Sequence, residues 1–282
     1  MRIVVASGKG GTGKTTIATS LALSAGESVC LVDCDVEAPN AALFLNPSVE
    51  HSKEVGILLP VVDEELCTYC EKCSEVCEFN AIAVIGEKIL VFPELCHGCG
   101  SCTLICPENA ISERLNVMGV LQGGTTATGM DWAQGVMNVG EPMAVPIIRQ
   151  LKDWIPQNSS AFEIRDASPG ASCPVVETMR GADFALLVTE PTPFGLHDLK
   201  QVVGIARELG ISAGVVINRD GIGDDGVETY CEEVGLPILL RVPMERRFAE
   251  AIAGGKTLVD AAPEYGPVFR ALLEDITSRV AA

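Results

Sequence analysis

Three features of the chain predict an α/β fold, a mostly parallel, doubly wound sheet with a small α+β unit inserted into it. The amino terminus alternates an apolar run, a glycine loop, a helix-forming stretch and a second apolar run. Short apolar runs recur downstream with helix-periodic stretches between them, the pattern of buried parallel strands joined by crossover helices. A doubled cysteine run interrupts that alternation.

Taken in order, Ile3-Val4-Val5-Ala6 reads as the first strand, Lys14 to Ala25 as a helix and Val29-Cys30-Leu31-Val32 as the second strand, together opening a βαβ unit. Phe162–Ile164, Phe184–Val188, Gly214–Ile217 and Ile238–Leu240 are candidate buried strands. Leu196–Leu209 carries Leu199, Val202, Val203 and Ala206 at helical spacing, and Glu228–Val234 reads as a further helix. Val268 to Ile276 is acidic and helix-periodic, as expected of a helix packed on the domain. Prolines near Pro60 and at Pro107 mark the edges of the cysteine segment. The predicted division is residues 1–60, an insertion over 61–113, and 114–282. Met118 through Gly140, with Gly123-Gly124-Thr125-Thr126, is glycine-rich and polar, so a mobile loop near the phosphate site or the insertion is expected there, with a plain linker as the alternative.

A length of 282 residues with 48% hydrophobic and 21% charged residues allows one large or two smaller packed domains. No run of eighteen apolar residues occurs and no signal peptide is read, so no membrane insertion and a cytoplasmic location are expected. A net charge of −18 argues against nucleic acid or anionic membrane as a partner, because both are recognised by basic patches. Between Val62 and Ser112 nine acidic residues face only Lys72 and Lys88. That surface would suit a basic redox partner, although a solubilising surface explains it equally well.

Cys67, Cys70, Cys73 and Cys77 are answered twenty-nine residues later by Cys96, Cys99, Cys102 and Cys106. Asn80-Ala81-Ile82 and Asn109-Ala110-Ile111 repeat at the same offset, as two copies of one unit would. The doubled C-x2-C-x2-C-x3-C run resembles bacterial two-cluster ferredoxins, in which three thiolates of a run hold one cluster and the fourth crosses to the other. That resemblance implies two [4Fe–4S] clusters, one on Cys67, Cys70, Cys73 and Cys106, the other on Cys96, Cys99, Cys102 and Cys77. The first copy departs from the pattern at Glu78, where the second has Pro107. Two zinc ions are the alternative, but zinc ribbons separate their C-x2-C pairs by a long spacer, and here four cysteines fall within eleven residues. His97, between cluster cysteines, reads as a modulator of potential rather than a ligand.

Gly8-Lys9-Gly10-Gly11-Thr12-Gly13-Lys14-Thr15 satisfies G-x-x-x-x-G-K-[ST] directly after a strand and before a helix. Glycines let backbone N–H groups converge on phosphate oxygens, Lys14 supplies a charge at the β and γ phosphates, and Thr15 offers a hydroxyl to Mg2+, with Thr16 beside it at the helix start. A P-loop that binds ATP or ADP is the expectation.

With Lys9 the loop resembles the deviant Walker A motif of the MinD, ParA and nitrogenase iron-protein superfamily. The resemblance implies a nucleotide-sandwich homodimer in which Lys9 reaches the partner's nucleotide. It implies that Asp35, in Asp33-Cys34-Asp35, positions the attacking water. Asp166, opening Asp166-Ala167-Ser168-Pro169-Gly170, would hold Mg2+ through water, and Gly170 would offer a backbone N–H to the γ-phosphate. Asn218-Arg219 matches the asparagine that reads adenine. Cys173 lies at the offset of a cluster ligand of the nitrogenase iron protein, but without a second cysteine it is expected to be a buried or merely neighbouring thiol. Cys30, Cys34 and Cys231 read as core thiols.

The whole arrangement resembles ferredoxin-containing MinD-type ATPases, including those associated with the orange-protein complex. Two functions follow from that resemblance: an ATPase coupled to electron transfer toward a redox partner, or an Mrp-type carrier that delivers a metallocluster to a client. The closed eight-cysteine pattern leans to electron transfer. A scaffold with structural clusters would be redox-silent, and amidoligase chemistry lacks an evident glutaminase domain.

Overall fold

The computed structural model describes residues 1–26, 28–155 and 160–281. Its strands are β1 (Arg2–Ala6), β2 (Val29–Asp33), β3 (Ser48–Val62), β4 (Ile82–Val84), β5 (Ile89–Val91), β6 (Ile111–Thr125), β7 (Asp131–Met137), β8 (Phe162–Asp166), β9 (Phe184–Thr189), β10 (Ser212–Asp220) and β11 (Ile238–Pro243). The helices are α1 (Lys14–Ala25), α2 (Ala41–Leu45), α3 (Lys72–Glu75), α4 (Ser101–Ile105), α5 (Val145–Trp154), α6 (Cys173–Met179), α7 (Pro193–Glu208), α8 (Gly226–Glu233), α9 (Arg246–Ala253), α10 (Leu258–Ala261) and α11 (Tyr265–Ala281).

The chain divides into two compact units. The first holds Met1–Lys53, Leu121–Val136 and Ile148–Ala282; the second holds Glu54–Val120 and Met137–Ile147. The sequence marks at 61 and 113 fall inside β3 and β6, because β3 runs through Pro60 to Val62 and β6 has already begun at Ile111.

The main sheet has the strand order β11-β10-β9-β1-β8-β2-β7-β6-β3, and its strands β11, β10, β9, β1, β8 and β2 lie wholly in the first unit. The pairs β11/β10, β10/β9, β9/β1, β1/β8, β8/β2 and β2/β7 are all parallel. Alternation in β1 explains why both faces are covered. Ile3 and Val5 join the core formed with α1, α9 and α11 through Leu21, Phe248, Phe269 and Ile276, whereas Val4 and Ala6 join the opposite core with α6, α7 and α8 through Val175, Leu199, Val202 and Val227. Burying a residue the size of Phe269 or Ile276 contributes roughly 1.5–3 kcal/mol, which ties α11 to the sheet.

Met118–Gly140 is no mobile loop. It supplies most of β6 and all of β7, with Met118, Leu121, Met130, Trp132 and Ala133 buried. Its glycines serve close approach: a Cβ on Gly124 would lie 1.8 Å from the Ser48 carbonyl oxygen, and one on Gly123 2.9 Å from the Trp154 ring.

The second unit contains the cysteine repeats, with α3 and α4 as equivalent short helices and β4/β5 as an antiparallel pair. A small core of Cys73, Ile82 and Ile111, with Val62, Val84, Ile89 and Val91 against it, holds the two copies together. No helix among the described residues is long and apolar enough to cross a membrane.

Candidate functional site

The loop after β1 leads into α1, whose N-cap Gly13 is left-handed (φ 86°) and gives no side-chain cap, so the first-turn N–H groups point free into a cleft of about 510 Å3. A cleft of that size suits a nucleotide. Only glycine fits the path here. A Cβ on Gly13 would lie 2.2 Å from Asn218 Nδ2, and one on Gly8 2.3 Å from the Asp198 carbonyl oxygen. Lys9, Gly10, Gly11, Thr12, Thr15, Thr16, Asp35, Asn218 and Arg219 line this cleft with Lys14, and Phe44, Met244 and Phe248 give it an apolar side.

Each acidic group is delivered by the carboxyl end of a parallel strand, where open α/β sheets bind ligands. Asp166, ending β8, is fully buried; its Oδ1 is 2.5 Å from Lys14 Nζ and its Oδ2 has no partner. An unpartnered buried carboxylate oxygen beside the P-loop lysine fits a site for water on a divalent cation. Asp33, ending β2, accepts N–H bonds from Asp35 (3.0 Å), Asn40 (2.8 Å) and Ala41 (2.9 Å), which fixes the loop that carries Asp35. Burial, followed by the charge of Asp166, pushes its carboxyl up to about 7. Asp35 is raised as well, by burial first, with Asp166 adding and Lys14 opposing.

The Gly170 N–H donates to the Ser7 carbonyl at 2.9 Å. Asn218 Nδ2 donates to the Thr12 carbonyl at 2.7 Å, bracing the loop from β10. Lys9 is held in its own subunit, with Nζ 3.2 Å from Glu190 Oε2. Glu190 also takes Arg219 at 2.5 Å, while Arg219 Nη2 reaches the Gly11 carbonyl at 3.0 Å. Glu190 was invisible to motif reasoning. The one signal for it was a carboxylate following the apolar run of β9, the same placement as Asp33 and Asp166.

The cysteines form two cavities. Cys67, Cys70, Cys73 and Cys106 line one, with Val84, Ile89 and Pro107. Cys77, Cys96, Cys99 and Cys102 line the other, with Leu58, Pro60, Phe79 and His97, the last two stacked at 3.8 Å between centroids. The repeat extends to the backbone: Tyr69, Glu71 and Asn80 have φ of 54°, 64° and 52°, matched by Gly98, Gly100 and Asn109 at 63°, 74° and 52°. These left-handed residues turn main-chain N–H groups onto sulfur. Tyr69 donates to Cys67 and Gly98 to Cys96, both at 3.4 Å, and Ala81 donates to Cys77 and Ala110 to Cys106, both at 3.3 Å. Burial raises the Cys73, Cys96 and Cys102 thiols, whereas Ser101 lowers Cys99. Among the described residues no three His, Cys, Asp or Glu side chains converge on a single ion position. Four thiols around a cavity, with N–H donors to sulfur, fit an iron–sulfur cluster, in which each iron takes one thiolate.

Cys30, Cys34 and Cys231 are buried core thiols, and burial pushes the first two up to about 12. Cys173 is exposed at the start of α6, which excludes the buried thiol among the two expectations and leaves the merely neighbouring one. The exposed His197 hydrogen-bonds Gln201, and His51 is exposed.

Fold and cleft together define a P-loop nucleotide-binding protein. Residues 3–259 match the CobQ/CobB/MinD/ParA nucleotide binding domain, and the chain belongs to that family. It is 33% identical to an uncharacterized protein of Methanocaldococcus jannaschii over 79% of this chain and 80% of that one. It is 25% identical to a cytosolic Fe-S cluster assembly factor, the NUBP2 homolog of Culex quinquefasciatus, over 93% of this chain and 90% of that one. The cell division ATPase MinD of Pyrococcus furiosus shares the fold, with a TM-score of 0.59 at 20% identity and 98% coverage of both chains.

Proposed function

We propose that this protein binds and hydrolyses MgATP in a nucleotide-sandwich homodimer and couples that cycle to electron transfer, through two [4Fe–4S] clusters, to a partner protein. The observation that carries the reading is the division of eight cysteines into two four-thiol cavities, each complete within one chain. Clusters held entirely within one subunit suit retention and electron relay.

The α1 N–H groups and Lys14 bind the β and γ phosphates, and Thr15 with Asp166 holds the metal-water shell. Mg2+, when bound, neutralises charge on the transferred phosphoryl group. Asp35 orients the attacking water, and the bond from its backbone N–H to Asp33 holds it at the cleft. Asn218, already hydrogen-bonded to the P-loop, presents the edge of the base site. For Lys9 to reach a partner's nucleotide it must leave Glu190, and for Gly170 to meet a γ-phosphate its N–H must leave Ser7. Both exchanges make the loops sensitive to which nucleotide is present. Thiolates of the two cavities hold the clusters, which when bound supply one-electron chemistry.

Similarity to a cluster assembly factor along nearly the whole chain favours a second reading, ATP-gated delivery of a cluster to a client. Anaerobic redox titration followed by electron paramagnetic resonance separates the two. It is run without nucleotide, with MgADP, and with MgATP on Asp35→Ala. Two stable four-iron signals whose potential or line shape responds to MgATP support electron transfer. Clusters that transfer to an apo-ferredoxin acceptor on ATP addition support delivery instead. Absence of any four-iron signal removes both.

A further inference from the structure

Main-chain N–H groups at equivalent positions of the two copies donate to sulfur at 3.3–3.4 Å: Tyr69 and Ala110 serve the first cavity, Gly98 and Ala81 the second. Two side-chain hydroxyls face sulfur in the second cavity, Ser101 at Cys99 and Thr103 at Cys102. Ser101 Oγ lies 3.4 Å from Cys99 Sγ, in the second cavity. The equivalent position of the first copy, two residues after Cys70, is Lys72, which has no hydroxyl. Thr103 follows Cys102 directly and is the other hydroxyl on this stretch, but its proton goes to Glu113 Oε1 at 3.0 Å. Ser101 makes no such competing bond. A free thiol can donate in the Cys99–Ser101 contact; a metal-bound thiolate carries no proton, so the hydroxyl must then be the donor.

We propose that Ser101 makes the two clusters unequal: by donating to the Cys99 thiolate it raises the reduction potential of the cluster held by Cys77, Cys96, Cys99 and Cys102 and leaves the other cluster unaffected. The inference rests on the two-cluster reading above. Reduction adds one electron, spread over iron and sulfur, with no bond broken and the proton staying on the Ser101 oxygen. A donor at sulfur therefore stabilises the reduced cluster more than the oxidised one. Glu113, whose carboxylate lines the same cavity, acts in the opposite direction, and Lys72 acts on the first cluster. Both are unchanged by substitution at Ser101, so the comparison isolates the hydroxyl. Taking the strengthening on reduction as part of the worth of a bond to a charged acceptor, its loss changes the reduction equilibrium by about five-fold. At 59 mV per tenfold for one electron this is a fall of about 40 mV.

The test uses the full chain, reconstituted anaerobically with iron and sulfide and titrated with dithionite under mediators. Iron content and electron paramagnetic resonance are followed in wild type, Ser101→Ala and Ser101→Thr. The expected result is unchanged iron content, one of two reduction steps lowered by about 40 mV in Ser101→Ala, and recovery in Ser101→Thr, which keeps a hydroxyl. Steps that stay in place, or that move together, overturn the assignment. Loss of iron in both variants would make Ser101 a structural residue and also overturn it. A wild type with no four-iron signal fails earlier, at the two-cluster reading itself.

Discussion

Lys14 and Asp166 form a buried pair whose removal should be felt before any nucleotide binds. Lys14 is about as buried as a core residue, with 7% side-chain exposure, and Asp166 has none. Replacing Lys14 by Met keeps the side-chain stem and removes the charge. Asp166 then faces Asp33 without a cation, and Asp33 loses the lysine that draws its carboxyl down. Breaking a buried pair by removing one partner costs about 3–5 kcal/mol, because the remaining charge stays desolvated. That loss should be full at pH 8 and smaller at pH 6, where one carboxylate takes up a proton. The assay is urea unfolding of the nucleotide-free protein by tryptophan fluorescence, since Trp132 and Trp154 both belong to the P-loop unit. A double-mutant cycle with Asp166→Asn should show the double variant losing at least about 2 kcal/mol less than the sum of the singles. A Lys14→Met cost under about 1 kcal/mol, an additive cycle, or loss of the coupling in 1 M salt, which screens only exposed pairs, would mean that no buried ion pair is at work here.

Asp33 titrates near 7 in the folded protein against an ordinary value of 3.8, so between those values the folded state binds more protons than the unfolded one and stability falls as pH rises. Nucleotide-free protein should therefore lose stability from pH 5 to pH 7.5, and Asp33→Asn should flatten that slope. Gly13→Ala places a methyl 2.2 Å from Asn218 Nδ2 in a left-handed conformation. Backbone strain and a lost hydrogen bond together cost about 2–3 kcal/mol, and MgATP affinity by calorimetry should fall more than tenfold. Cys106→Ser should remove the same spectroscopic signal as Cys67→Ser and leave the one removed by Cys77→Ser, because Cys106 lines the cavity of Cys67. If Cys106→Ser removed the signal lost with Cys77→Ser instead, the two cavities would not correspond to the two clusters.

The sequence made the P-loop and the parallel core legible because both leave local signatures: glycines at fixed offsets, and short apolar runs with turns between them. The cysteine copies were legible for the same reason, and Asn80 and Asn109 prove to repeat because both occupy left-handed turns. What escaped had no local signature. Gly123 and Gly124 read as flexibility, yet they are required by the approach of Trp154 and Ser48, residues distant in the chain. Glu190 belongs to no spaced motif, and only its meeting with Lys9 and Arg219 gives it a role. The engagement of Gly170 with Ser7 is likewise a long-range fact, fixed by the pairing of β1 with β8 rather than by the D-x-x-P-G residues.

Each cysteine cavity takes its wall from both copies of the repeat, three thiols from one and the fourth from the other. Neither copy is a module in its own right. Loss of either copy would leave two incomplete walls rather than one intact site, so removal of half of this segment should abolish both sites together. A lineage could gain or lose the segment as a whole, but it could not keep half of it and retain a four-thiol site.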